Sequence, residues 1–137
     1  MATALDTCLL LSRAESEVRR RLEVQGLSLN DLAALRRLAD APDGTLRRQD
    51  LAEVLGMTPS GVTRLLAPLE KLGYVTRTSD PRDARLALVV LTDAGRARTR
   101  DAVAQAEERA ESLLTRVLDP DGRAALAELL TALVPFA

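Results

Sequence analysis

The chain has 137 residues and a formal net charge of −1; 47% of its residues are hydrophobic, 28% are charged and 1% are aromatic. This length and balance indicate one globular domain with a core of Leu, Ala and Val side chains, a composition that favours helices. They exclude a membrane-spanning protein, because no stretch approaches the roughly 20 apolar residues that a spanning helix needs. The first residues lack the pattern of a signal peptide, so we expect a cytoplasmic protein that binds no membrane.

The charges are distributed unevenly along the chain. Residues 46–100 hold ten Lys and Arg against six Asp and Glu, whereas the rest of the chain holds nine against fourteen. A basic middle between acidic ends is the distribution expected of a local DNA-binding face. The alternative is a solvated surface on which the cations cluster by chance.

The N-terminal residues, from Leu5 to about Val24, are predicted to form one amphipathic helix with Leu5 and Leu9 on its apolar side. Three consecutive arginines at 19–21 fit a solvated helix face better than a DNA contact. Gly26 ends this helix.

The second predicted helix begins at Ser28, because Asp31 stands three residues later, as in a capping box. Its apolar residues recur at three-residue intervals, and it continues to Asp40. These residues are Leu29, Leu32, Leu35 and Leu38. Residues 41–44, Ala-Pro-Asp-Gly, predict a turn.

The third predicted helix spans Leu46 to Leu55, and Gly56 stops it. Its inward side chains are expected to be Leu51, Ala52 and Leu55. Arg47 and Arg48, at its start, can reach a DNA phosphate at the edge of a groove.

The fourth predicted helix begins with Thr58 as N-cap and Pro59 in the first helical position, and it ends at Gly73. Its apolar face is predicted to consist of Val62, Leu65, Leu66, Leu69 and Leu72. The opposite face of its first two turns carries small, hydrogen-bonding and cationic side chains, which are Ser60, Gly61, Thr63 and Arg64. Such a face can enter the major groove of DNA, which is roughly 12 Å wide.

A two-stranded hairpin is predicted next, with strands at 74–78 and 86–91. Its charged tip, residues 79–85, cannot belong to a core. Three arginines could lie along phosphates or in a narrow minor groove, namely Arg77, Arg82 and Arg85. Asp80 and Asp83 would repel phosphate, so we expect them to hold these arginines in place, with Asp83 and Arg85 as the favoured pair.

Two C-terminal helices complete the predicted order. Thr92 caps a long helix that continues to Leu118, and Asp119 with Pro120 begins the last one. The apolar stripe of the last helix is Leu126, Leu129, Leu130 and Leu133. The terminal helices have more apolar surface than one small domain can cover, which predicts a two-fold homodimer. Its two copies of the fourth helix, the recognition helices, would lie one DNA turn apart, about 34 Å.

Several motifs in this chain resemble the MarR family of winged helix-turn-helix regulators. They are Gly-Val-Thr-Arg-Leu-Leu (61–66), Leu-Glu-Lys-Leu-Gly-Tyr-Val (69–75), Asp-Pro-Arg-Asp-Ala-Arg (80–85) and Leu-Thr-Asp-Ala-Gly (91–95). The likeness extends from about Gly26 onward. It implies a mainly α fold with a small β-hairpin wing, divided into an N-terminal dimerisation helix (1–27), a winged helix-turn-helix lobe (28–95) and C-terminal dimerisation helices (96–137).

Three positions depart from the family pattern. Arg47 occupies the N-cap position where the family usually has Ser or Thr, so that helix start is less well capped. Pro68 lies inside the recognition helix, where it removes one backbone hydrogen bond and should bend the helix without breaking it. Ala84 replaces a common Arg, which leaves the wing with one cation fewer.

Enzyme chemistry is not expected, because the chain has no His, one Cys and no Gly-rich phosphate loop. No metal or other cofactor is expected either. Some relatives in the MarR family sense peroxides with a Cys in the first helix and Tyr partners, and Cys8 has a comparable position. The chain's one Tyr is Tyr74, in the wing, and a lone Cys on a helix is most often a small core residue.

The sequence thus predicts a homodimeric transcriptional repressor that binds a pseudo-palindromic operator in double-stranded DNA. The family resemblance implies that a small-molecule effector, often aromatic or anionic, binds between the dimerisation helices and the DNA-binding lobe. Two alternatives remain open. One is a winged-helix module that binds other proteins without reading DNA, and the other is a thiol-based peroxide-sensing regulator that uses Cys8.

Overall fold

A computed structural model describes residues 1–134 of the chain; the last three residues of the predicted C-terminal segment, 135–137, lie outside the described residues. The described part is mainly helical with one small sheet. The elements are α1 (Ala4–Arg21), α2 (Leu29–Asp40), a short 3-10 turn (Pro42–Gly44), β1 (Thr45–Arg47), α3 (Arg48–Leu55), α4 (Pro59–Lys71), β2 (Val75–Asp80), β3 (Asp83–Leu91), α5 (Asp93–Thr115) and α6 (Pro120–Leu133).

The starts of α2, α4, α5 and α6 are fixed by the local side-chain caps that the sequence predicted. Ser28 and Asp31 form a reciprocal capping box, in which the Ser28 hydroxyl accepts the Asp31 N–H at 3.1 Å and the Asp31 carboxylate accepts the Ser28 N–H at 2.9 Å. Thr58, Thr92 and Asp119 cap α4, α5 and α6 in the same general way. Each cap satisfies a backbone donor that the helix itself leaves unpaired.

The sheet has three strands and not the two that were predicted. Its order is β1-β3-β2, and all pairs are antiparallel. The prediction of a helix from Leu46 was wrong, because Leu46 and Arg47 pair with Val89 and Leu88 of β3. The helix α3 therefore begins at Arg48, with Arg47 as an N-cap whose side chain makes no capping hydrogen bond.

The wing strands extend further into the charged tip than predicted. β2 reaches Asp80 and β3 begins at Asp83, so the turn itself is only Pro81 and Arg82. The register runs regularly up to Ser79 and then shifts before Asp80, which faces Asp83. The tip is thus a tight two-residue turn between paired strands.

The core forms around α2, where Leu35 and Leu38 are fully buried. α4 contributes Val62, Leu66 and Leu69 to the same core, and it runs without a break across Pro68. The prediction that Leu72 faces inward was wrong, because Leu72 is the C-cap of α4 and its side chain is 61% exposed. The other predicted face residue, Leu65, is partly buried.

The start of α5 is docked on the connection between α4 and β2. The Thr92 hydroxyl donates to the Gly73 carbonyl at 2.6 Å, and its N–H donates to the Tyr74 carbonyl at 3.0 Å. Gly95, one turn later, is buried against the same carbonyl. The helix ends at Thr115, before the predicted Leu118, because a turn follows and α6 begins anew at Pro120.

The two terminal helices remain largely uncovered within this single chain. α1, which ends at Arg21 and not near the predicted Val24, contains no buried residue, and neither does α6. Their predicted apolar stripes are solvent-exposed, with Leu5 at 68% and Leu129 at 67% exposure. Within residues 1–134, no helix combines the length and apolarity needed to cross a membrane.

Candidate nucleic-acid interface

The N-terminal half of α4 presents a polar face to solvent. The Thr58 hydroxyl accepts the Gly61 N–H at 3.0 Å and lies 3.2 Å from the Ser60 hydroxyl. A Cβ at Gly61 would come within 3.1 Å of the Thr58 hydroxyl and 3.3 Å of Met57, so a larger residue would crowd this cap. Ser60, Thr63 and Arg64 are exposed. The first turn therefore combines short side chains with the positive end of a helix dipole.

Arg48 joins the start of α3 to this face. Its Nη1 donates to the Thr63 hydroxyl at 3.3 Å, and that hydroxyl in turn donates to the Pro59 carbonyl at 3.1 Å. The two predicted contact residues, Arg48 and Thr63, are thus brought together by the fold. Sequence reasoning missed this pairing because the residues lie 15 positions apart on separate helices.

Arg47 lies beside the wing. Its Nη2 is 3.9 Å from the Asp80 carboxylate. Because Arg47 belongs to β1, which pairs with β3, the unpredicted strand places this cation next to the hairpin and not on a helix. The fold therefore connects the beginning of α3 to the wing through β1.

Two aspartates organise the wing tip. Asp83 accepts both Nε and Nη2 of Arg85 at 3.0 Å, together with the Arg85 backbone N–H at 3.0 Å. Asp80 accepts the Arg82 backbone N–H at 2.8 Å. The side-chain and backbone hydrogen bonds from Arg85 hold the pKa of the Asp83 carboxyl below its usual value, and the charge of Arg47 adds to this effect. The same side-chain bond raises the pKa of Arg85. The favoured Asp83 and Arg85 pair is present.

The arginines of this region differ in their present partners. Arg77 forms an ion pair with Glu70, near the end of α4, in which Nε of Arg77 lies 2.9 Å from Oε2 of Glu70. Arg64 and Arg82 form no ion pair with any side chain of residues 1–134. Arg85 keeps 90% of its side chain exposed although it pairs with Asp83. The guanidinium groups of Arg64, Arg82 and Arg85 can therefore contact a phosphate without the displacement of any buried side chain.

A cleft of about 500 Å³ lies between the end of α1, α2 and the middle of α5. Its inner surface is apolar, and its rim carries the cations Arg36 and Arg37 with the anions Asp40 and Glu107. The remaining lining residues are Leu22, Leu29, Leu32, Ala33, Val103, Ala106 and Ala110. Space of this size, apolar inside and charged at the edge, suits a small amphiphilic molecule.

Arg98 of α5 contacts both the connection between α1 and α2 and the residue that precedes β2. Its Nη2 donates to the Gln25 carbonyl at 2.8 Å, and its guanidinium lies over the Tyr74 ring, 6.0 Å from the centroid. Its Nε is buried and finds no hydrogen-bond partner among the described residues. Sequence reasoning missed this contact because no local signal marks a cation that folds over an aromatic ring 24 residues away.

The one thiol lies outside the features described above. Cys8 is exposed on α1, so the interpretation of this residue as part of the core is wrong for the single chain. Tyr74 is partly buried against the core and lies under Arg98. Nowhere between residues 1 and 134 do three or more His, Cys, Asp or Glu side chains gather in a way that could hold a metal ion.

Comparison with known proteins places this arrangement in one family. The model of the MarR family matches residues 25–86, which include α2, α3 and α4, the strands β1 and β2, and the wing tip. The helix-turn-helix transcriptional regulator YdgJ of Bacillus subtilis is 34% identical over 92 residues. That alignment spans 67% of this chain but 55% of YdgJ, so the chain matches little more than half the length of this relative.

Solved structures with the same fold include DNA complexes. Sco3205 of Streptomyces coelicolor, a MarR family regulator in complex with DNA, matches with a TM-score of 0.82 and 26% identity over 97% of this chain and 88% of that one. The transcriptional repressor CouR, bound to a 23-mer duplex, matches with a TM-score of 0.81 and 30% identity over 90% and 89%. BpsR of Bordetella bronchiseptica, whose DNA binding is regulated by 6-hydroxynicotinic acid, matches with a TM-score of 0.82 and 25% identity over 92% and 91%. The chain belongs to the MarR family of transcriptional regulators.

Proposed function

We propose that this protein is a homodimeric repressor that binds a pseudo-palindromic site in double-stranded DNA. The observation that carries the proposal is the exposed polar face of α4, with Thr63 and Arg64, lying next to Arg48 of α3 and accompanied by a cationic wing tip. A helix entering the major groove while a hairpin follows the backbone is the geometry by which winged helices bind DNA. The DNA complexes of Sco3205 and CouR support the same assignment.

The dimer in this proposal is formed by the terminal helices. Leu5 and Leu9 of α1, and Leu129 and Leu133 of α6, are large apolar side chains left exposed by the single chain. A two-fold partner that covers them would remove apolar surface from water, and each Å² buried would stabilise the dimer by roughly 25 cal/mol. It would also fix the spacing of the two α4 helices, which a palindromic site requires.

The small-molecule effector would bind in the cleft between α1, α2 and α5. Arg36 and Arg37 at the rim could pair with a carboxylate, and the apolar wall could pack against an aromatic ring. The regulation of BpsR by 6-hydroxynicotinic acid supports an effector of this class. Because the cleft joins the dimerising α1 to the DNA-binding lobe, a bound molecule would change the spacing of the two α4 helices.

The experiment for DNA binding compares a fragment of the protein's own promoter region with random duplex of equal length, by fluorescence anisotropy at moderate salt. We expect the promoter fragment to bind at least about a thousandfold more tightly. Arg64→Ala should weaken that binding, whereas Arg116→Ala, which removes an exposed cation from the far end of α5, should not. Equal binding of promoter and random duplex would show that the protein is not a specific repressor.

The experiment for the effector adds benzoate, a simple aromatic carboxylate, to the bound complex. Release of DNA at millimolar benzoate by the wild type, and not by Arg36→Gln, is the expected result. If the Arg36→Gln and wild-type proteins release DNA at the same benzoate concentration, the anion does not bind at this rim.

A further inference from the structure

We propose that Thr63 reads a thymine in each half-site through its methyl group, and not through its hydroxyl. The inference rests on the proposed function, since it names the base that the exposed face of α4 selects. It follows from what the Thr63 side chain already does inside the protein. The sequence alone indicated only that hydrogen-bonding side chains such as Thr63 share this face with Arg64.

The Thr63 hydroxyl is already engaged by the protein. Its one hydrogen is donated to the Pro59 carbonyl at 3.1 Å, one turn earlier in α4. Its oxygen accepts Nη1 of Arg48 at 3.3 Å. A hydroxyl has one donor, so Thr63 could donate to a base only by giving up the Pro59 carbonyl. Such an exchange of one hydrogen bond for another contributes little selectivity.

The hydroxyl oxygen keeps a second lone pair, which could accept only from an amino group of adenine or cytosine. The other group on this exposed side chain is the Cγ2 methyl. Thymine carries a C5 methyl on its major-groove edge, and contact between a Thr methyl and this group is one of the apolar contacts by which proteins recognise thymine. Cytosine has no such methyl, and neither does uracil. The Cγ2 methyl of Thr63 therefore favours thymine over every other base in that position.

Short neighbours allow this short side chain to reach a base. The exposed Ser60 and the half-buried Gly61 precede Thr63 in α4, and a Cβ at Gly61 would crowd the Thr58 cap. The helix axis can then approach the floor of the groove closely. Arg48, held at 3.3 Å by the Thr63 hydroxyl, would lie at the groove edge, where its charge meets a phosphate.

Two variants separate the methyl from the hydroxyl. Thr63→Val keeps the methyl and replaces the hydroxyl by a second methyl, whereas Thr63→Ser keeps the hydroxyl and removes the methyl. Duplexes bound by the wild type are first selected from a random library. Each thymine of the selected half-site is then replaced in turn by deoxyuridine in both half-sites, which removes only the base methyl.

The measurement is the ratio of the dissociation constants for the uracil and thymine duplexes. For the wild type we expect one position at which uracil weakens binding by about fourfold per half-site, or about fifteenfold for a dimer, which corresponds to one buried methyl per half-site. Thr63→Val should keep this ratio, and Thr63→Ser should reduce it to near one. The ratio is insensitive to a uniform loss of affinity caused by freeing Arg48.

Two results would overturn the inference. If wild-type protein selects a sequence but no thymine methyl in it affects binding, or if Thr63→Ser keeps the ratio while Thr63→Val loses it, the hydroxyl or another residue reads the base and the proposed function still stands. If the wild type selects no sequence from the library, the proposed function fails as well. The control is thermal unfolding, in which both variants should show a cooperative transition like that of the wild type.

Discussion

Gly95 occupies the most crowded glycine position in the molecule, and Gly95→Ala is expected to destabilise the fold. A Cβ at this position would lie 2.0 Å from the Tyr74 carbonyl oxygen and 2.8 Å from Leu91 Cδ1. The first contact is with backbone, so no rotamer change can relieve it. To reach an ordinary separation of 3.4 Å, α5 and the connection that leads into β2 must move apart by about 1.4 Å.

The expected destabilisation follows from the packing at this junction. Overpacking of a filled site costs about 1–3 kcal/mol. The shift also weakens the two hydrogen bonds that Thr92 donates to the Gly73 and Tyr74 carbonyls, each contributing about 1 kcal/mol. Replacing a helical Gly by Ala returns about 1 kcal/mol of helix propensity. The net expectation is a decrease of about 2–4 kcal/mol in the free energy of unfolding.

The assay is urea unfolding followed by circular dichroism at one fixed protein concentration, because dimerisation makes stability depend on concentration. Gly122→Ala is the matched control, since Gly122 has the same place in α6 that Gly95 has in α5, three residues after the N-cap. Its Cβ would meet only side-chain atoms, of Asp119 at 3.0 Å and Leu118 at 3.4 Å. The control should change stability by less than about 1 kcal/mol. If Gly95→Ala unfolds at the same urea concentration as the wild type, the close approach of α5 to Tyr74 is wrong.

Three further predictions concern the wing and the dimer. Arg82→Ala and Arg85→Ala should each make the plot of log K, the DNA association constant, against log salt concentration less steep. The slope should change by about one for every phosphate that the arginine neutralises, hence by about two per dimer. An unchanged slope would exclude phosphate binding by that side chain. Leu129→Glu should convert the dimer to monomer in sedimentation, because it places a charge in the apolar stripe of α6, and a variant that stays dimeric would move the interface elsewhere. The Asp83 pKa is lowered by Arg85, so their ion pair should be present above about pH 4 and should break as the pH falls through the lowered value. The NMR signal of the Arg85 Nε–H should change with pH over the same range, and this pH-dependent change should be absent in Asp83→Asn. A signal that titrates identically in the variant would refute the pairing.

The parts of the fold that were predictable from sequence are those with local causes. The capping box of Ser28 and Asp31 and the cap at Thr58 involve residues three positions apart, so their signatures can be read directly from the chain. The Asp83 and Arg85 pair is equally local. Such interactions depend little on the rest of the structure.

The parts that were not predictable depend on residues far apart in sequence. β1 has only three residues and exists because it pairs with β3, more than 40 positions later, so its local pattern resembled the start of a helix. Leu72 follows the helical spacing of the apolar residues in α4, but at this end of the helix its side chain is left 61% exposed. The contact of Arg48 with Thr63 requires α3 and α4 to be packed first. For this reason the residue pattern identified the exposed face of α4 but not the hydrogen bonds that already occupy the Thr63 hydroxyl.

The most direct test of DNA binding by α4 and the wing is a hydroxyl-radical footprint of the wild-type protein on its selected duplex. We predict two protected windows on one side of the duplex, about 10 base pairs apart, because a two-fold dimer presents two copies of α4. Arg64→Ala should weaken both windows equally. A single window, or two windows that are unchanged in Arg64→Ala, would contradict the assignment of this surface to DNA.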